Sequence, residues 1–213
     1  MKDFSVAMAL VDYIPVLFFA IAAVLLQRDL YNKMSKGAFA LFSAGTINIF
    51  CAGALKATYK LLYAAGICDF EALSNMFFPV QSIGFLLAGI GMIAMLCFRQ
   101  QKGGEPLAAA AAAPAFYSGT FLFVGLMVAG LGCMDAVLCV LAKRLGKKRA
   151  IALFAISFVC SLCMGYLSSK DFTQAFMNWM AEIINVLGQG SLLLGVITLH
   201  KAGLADADAA KKA

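Results

Sequence analysis

Six stretches of this chain, near residues 5–27, 38–60, 74–98, 116–141, 150–168 and 173–199, are each long and apolar enough to cross a bilayer. A hydrocarbon core about 30 Å thick demands roughly 20 residues of helix, and each stretch supplies about that number. Of the 213 residues, 63% are hydrophobic and 13% charged, whereas a soluble domain carries about 25% charged residues. The expectation is an all-α integral membrane protein with six transmembrane helices, resident in the cell membrane as a multi-pass chain. The first stretch has a weak cationic flank, no small-residue cleavage site, and both Asp12 and Pro15 inside it. It therefore reads as a retained span and not as a cleaved leader.

The chain also resembles itself. At an offset of 112, Ala40-Leu41-Phe42 matches Ala152-Leu153-Phe154, and Gly53 and Leu55 match Gly165 and Leu167. At an offset of 103, Ala72 matches Ala175 and Asn75 matches Asn178, which sets Pro79 opposite Glu182 and Ser82 opposite Asn185. Both halves carry a basic loop after their first span, Gln27 to Lys36 and Lys143 to Arg149. The organisation expected is a first three-helix repeat over 1–102, a Gly/Ala-rich linker over 103–115, a second repeat over 116–200 and a flexible tail over 201–213. Three spans per repeat and a linker that does not cross would invert one half against the other, a common transporter plan with its site at mid-depth. In that topology the face holding the N-terminus gathers eleven Lys and Arg against six on the other, which predicts both termini in the cytoplasm by the positive-inside rule.

The last span carries the polar residues of most interest. Asn178, Glu182, Asn185 and Gln189 fall within an arc of roughly 60° at 100° per residue, and Gln174 and His200 widen it to about 80°. A carboxylate deep in a membrane costs at least about 2.5 kcal/mol unless it faces protein or water. Glu182, flanked one turn away by both asparagines, is thus the leading candidate for a solute or cation site, and for proton coupling. The plainer alternative is a polar helix contact satisfied by amides. Trp179 is a candidate stacking wall, and Asn75 and Ser82 on the third span are the counterpart stripe, beside a kink expected at Pro79. Asp12, Lys56 and Asp135 are expected on one face, where a charge pair or gate would neutralise groups that are costly alone.

Other chemistries find little support. Seven cysteines include one C-x-x-C spacing, Cys160 and Cys163, but His200 is the sole histidine and no metal or cofactor is expected. The cluster Lys143, Arg144, Lys147, Lys148 and Arg149 reads as a topology anchor against anionic lipid, and a net charge of +6 is ordinary for such a chain. Nucleic-acid binding is not expected. The function expected is a small transporter or channel for a solute or ion. The alternatives are a sensor or accessory subunit that binds lipid or a partner membrane protein, and an integral-membrane enzyme acting on a lipid or quinone. A homo-oligomer is compatible with each.

Overall fold

The computed structural model describes residues 5–97, 120–167 and 175–207, all helix or turn with no strand among them. Eight helices make up six long rods. The first rod joins α1 (Val6–Val11) to α2 (Tyr13–Leu30) and is followed by α3 (Lys36–Ala64). The third joins α4 (Ala72–Asn75) to α5 (Phe77–Cys97), and α6 (Thr120–Arg144), α7 (Lys148–Leu167) and α8 (Ala175–Lys201) complete the set. All six are long and apolar enough to span a membrane. Leu17, Val24, Ile47, Val159, Leu187 and Leu194 stand exposed on their outer surfaces, an apolar belt compatible with a multi-pass membrane protein.

Proline sets the two interruptions. A proline ring clashes with the carbonyl four residues before it, and α1 ends at Val11, four before Pro15, as α4 ends at Asn75, four before Pro79. The break expected at Pro79 is thus present, and Pro15 supplies a second that leaves Asp12 at the discontinuity. Elsewhere the ends are conventional. Ser35 caps α3 by accepting from the Ala38 N–H at 3.3 Å. Gly146, at φ 69, ends α6 in a left-handed turn where the Lys147 N–H reaches the Ala142 carbonyl at 2.8 Å.

The rods form a closed ring in the order α2, α3, α5, α6, α7, α8, with α8 returning to α2. Contacts fix each direction. Tyr13 meets Thr58 and Gln27 meets Thr46, so α2 and α3 are antiparallel; Gly84 against Ile49 and Gly91 against Phe42 make α3 and α5 antiparallel too. But Gly130 lies on Phe85 and Cys133 on Gly89, so α5 and α6 are parallel. Gly190 beside Phe18 and His200 beside Asp29 make α8 and α2 parallel as well.

Both halves therefore run up, down, up in the same sense, and the inverted arrangement expected from sequence does not hold. Inversion assumed that the linker stays on one face. Instead Cys97 and Thr120 lie at opposite ends of the bundle, and the linker joining them is outside the described residues. The corresponding contacts do repeat: Gly91 sits against Phe42 as Gly195 sits against Phe154.

Direction also regroups the charges. Among the described residues, nine Lys and Arg (Arg28, Lys33, Lys36, Lys143, Arg144, Lys147, Lys148, Arg149 and Lys201) lie at one end of the bundle. The other two, Lys56 and Lys60, lie toward the end where Ser5 begins the first rod. The half of the bundle nearer the basic end is filled by an apolar core that includes Leu30, Met34, Phe42, Met92, Leu138 and Phe154.

Candidate functional site

The opposite half holds a cavity of about 280 Å³ to which all six rods contribute side chains. Its walls follow the internal correspondence closely. Ser74, Phe77, Phe78, Gln81 and Phe85 of the third rod line it opposite Asn178, Ala181, Glu182, Asn185 and Gln189 of α8, each pair 104 residues apart. Pro15 and Phe19 of α2 similarly answer Met127 and Leu131 of α6, 112 residues apart.

The spacing between lining residues of the third and sixth rods is thus one residue from the offset of 103. One residue is 100° of helix rotation, which turns the expected counterpart stripe away. Asn75 is exposed. Ser82 is fully buried outside the lining and donates to the Phe78 carbonyl at 2.6 Å. Ser74 and Gln81 take their places in the wall. Trp179 is 38% exposed on the outside of α8, and the aromatic walls are phenylalanines and Tyr59 instead.

A buried ion cluster sits in the cavity. Lys60 Nζ lies 2.8 Å from Asp12 Oδ2 and 2.6 Å from Glu182 Oε1, joining three rods through one ammonium. All three residues are less than 9% exposed. Glu182 Oε2 is buried with no hydrogen-bond partner, and so is Gln189 Oε1 deeper along the same stripe. Lys56, one turn before Lys60, points its ammonium over the Phe77 ring at 3.9 Å from the centroid, a cation–π contact. Among the described residues no carboxylate lies within ion-pair distance of it.

The cluster lies toward the end of the bundle where Ser5 begins the first rod. Glu182 stands seven residues into α8, about 10 Å along a helix of some 40 Å, and Asp12 and Lys60 lie near ends of their own rods.

Sequence reasoning set Asp12 and Lys56 apart from the Glu182 stripe, as a charge pair or gate with Asp135, and counted Lys60 only as a topology charge. The available signal was the pair Lys56 and Lys60, one turn apart on one face near the end of an apolar span. Asp135 does not join the group. It lies fifteen residues into α6, in the half filled by apolar core, 4% exposed and with both oxygens unpartnered among the described residues. The expected common face for Asp12, Lys56 and Asp135 rested on α6 running opposite to its actual direction.

Asp135 yields a direct prediction. A buried polar group without a partner costs about 1–3 kcal/mol, so Asp135→Leu, close in shape, is expected to raise the unfolding free energy by about that much. Thermal denaturation in detergent checks it; a clear loss of stability would reveal a partner for the carboxyl.

No family model, curated protein or solved structure matches the chain.

At the basic end a second polar contact closes the same seam. His200 Nδ1 lies 2.8 and 3.0 Å from the two oxygens of Asp29, whose side chain is fully buried. The α2–α8 seam therefore has a direct hydrogen bond at its basic end and, at the cavity end, a bridge through Lys60 of α3. Its counterpart between α5 and α6 is held by backbone: a Cβ on Gly130 would overlap the Phe85 carbonyl, and one on Gly89 the Gly130 carbonyl.

Proposed function

We propose that this is a multi-pass membrane transporter for a small solute, with its binding site in the cavity around Asp12, Lys60 and Glu182. The observation that carries this reading is the cavity itself. It is lined by all six spans, holds buried charge, and occupies one half of a bundle whose other half is closed by apolar packing. A bundle plugged on one side and hollow on the other has the form of one state of an alternating-access cycle. Parallel three-helix repeats around an axis along the membrane normal are an established transporter plan.

Orientation follows from the charges. The positive-inside rule puts the end with nine of the eleven described cations in the cytoplasm. The C-terminal end of α8 is then cytoplasmic and Ser5 extracytoplasmic. This replaces the expectation of two cytoplasmic termini, and the cavity faces the outside. Movement would part α2 from α8, where side-chain polar contacts can break and reform, while the glycine-packed seam of α5 and α6 holds. Glu182, with one oxygen on Lys60 and the other unpaired, is the group through which a proton would couple to that movement.

Cysteine labelling tests the proposal. In a variant with the seven native cysteines replaced, Ser74→Cys, Gln81→Cys and Asn185→Cys are expected to react with a membrane-impermeant maleimide added to either side of sealed vesicles. Reaction should be faster from the extracytoplasmic side. Labelling from that side alone would make the cavity a receptor pocket. Absence of labelling from both would make the cluster a packing contact of an accessory subunit.

A further inference from the structure

We propose that the ligand of this cavity is a small zwitterion, a molecule carrying one carboxylate and one protonated amine. This rests on the transport reading for its setting, but it is drawn from the chemistry of the walls alone.

Charge balance comes first. The charged lining consists of two carboxylates, Asp12 and Glu182, and two ammonium groups, Lys56 and Lys60. Fully ionised they cancel, so a ligand of net charge would bring an uncompensated charge among largely buried groups. That cost is severe for an isolated ion. A molecule neutral overall avoids it.

The unused valences then select among neutral molecules. Lys60 is fully engaged between Asp12 and Glu182. Lys56 is different: its ammonium faces only the Phe77 ring among the contacts described, leaving strong donors without an anionic acceptor. A ligand carboxylate supplies that acceptor with a charge-assisted bond. The complementary vacancies are acceptors, Glu182 Oε2 and Gln189 Oε1, both buried and unpartnered. A protonated amine seated beside Glu182 gives its free oxygen a charge-assisted donor.

The cavity thus offers a cationic donor on α3 and anionic and amide acceptors on α8. A lone amine leaves Lys56 unmet; a lone carboxylate leaves Glu182 unmet.

Size and polarity agree. The cavity, at about 280 Å³, sits at the lower edge of the roughly 300–1,000 Å³ typical of drug-sized ligands, and so admits a small molecule. Phe50, Phe77 and Phe78 in the wall give an apolar substituent a surface to pack on.

Thermal denaturation of the full-length protein in detergent, with two matched sets of probes, tests this. One set is phenylalanine, phenethylamine and 3-phenylpropionate; the other is leucine, isoamylamine and 4-methylvalerate. Each pair of controls removes one charged group and keeps the side chain. Sorbitol and glucose serve as neutral polyols.

The zwitterion of at least one set is expected to raise the melting temperature by about 5 °C near saturation, and its controls by less than about 1 °C. The response should vanish in Lys56→Met, which removes a group with no ion pair and leaves the Lys60 cluster intact, and in Glu182→Gln. A response to the amine or acid alone, to a polyol, or to no probe would overturn the zwitterion. So would a zwitterion response that survives Lys56→Met. The transport reading is judged separately by vesicle labelling: zwitterion binding with labelling from one side alone would keep the ligand class and remove transport. Labelling from both sides with a polyol response would do the reverse.

Discussion

Lys60→Met is expected to destabilise the protein by about 3–5 kcal/mol, the cost of removing one partner from a buried ion pair. Lys60 is the sole ammonium in contact with Asp12 and Glu182 among the described ion pairs, at 2.8 and 2.6 Å. Its loss leaves two carboxylates facing each other in a cavity with apolar walls. Methionine retains most of the stem, so little packing is lost and the effect isolates the charge. The control is the triple variant Asp12→Asn, Lys60→Met, Glu182→Gln. With both carboxylates neutral nothing is left uncompensated, and most of the lost stability should return. A coupling of that size is far outside the few tenths of a kcal/mol expected of independent sites. Denaturation of the variants in one detergent measures it. A loss below about 1 kcal/mol would mean that the cluster behaves as a water-screened surface pair and is not held as a buried one.

How much of this site could be read from the chain differs residue by residue. The face of α8 bearing Asn178, Glu182, Asn185 and Gln189 was legible because helical period alone puts them together, and all four line the cavity. Their counterparts on the third span were not legible to the residue. The loop after α3 (residues 65–71) and residues 168–174 are embedded in different intervals, and the offset between halves changes from 112 to 104 across them. With few identities to anchor it, a match at 103 looked as good. Helix geometry is unforgiving there, because one position carries Ser82 out of the wall and Gln81 into it.

Direction was the larger loss. Hydropathy marks spans but is blind to which way a span runs, so the fourth rod's direction depended wholly on what the linker does. Once α6 is parallel to α5, the two basic loops fall at one end, Asp135 leaves the company of Asp12, and the orientation proposed for the first three rods is the opposite of the one expected. Lys60 was lost for a related reason. Near the end of a span, a lysine that reaches the interface and one that folds back onto a carboxylate have the same sequence signature. What separates them is the position of Asp12 and Glu182, 48 residues before it and 122 after it, and no local pattern reports that.

Gly130→Ala is expected to destabilise the protein by about 2–3 kcal/mol, at the upper part of the range for overpacking, while Gly125→Ala on the same helix is expected to stabilise it by about 0.5–1 kcal/mol. Both substitutions gain the same helix propensity, so the difference between them reports the seam alone. At Gly130 the new methyl would lie closer than 3.0 Å to the carbonyl of Phe85 and the N–H of Leu86. Those are backbone atoms with no rotamer to change, so α5 and α6 must separate. At Gly125 nothing lies within 4 Å, and the methyl meets open space. The contrast bears on mechanism because the two seams of the ring are built differently. Where α2 meets α8, Asp29 and His200 touch directly and Asp12 and Glu182 meet through Lys60 of α3, contacts of side-chain tips which can break without moving the packed backbone. Where α5 meets α6, glycines at 89 and 130 bring main chains together, and any opening there forfeits the whole contact. On the transport reading proposed above, the ring would pivot on the second and open at the first. Equal melting temperatures for the two alanine variants would show that α5 and α6 separate without penalty, and the pivot would have to lie elsewhere in the ring.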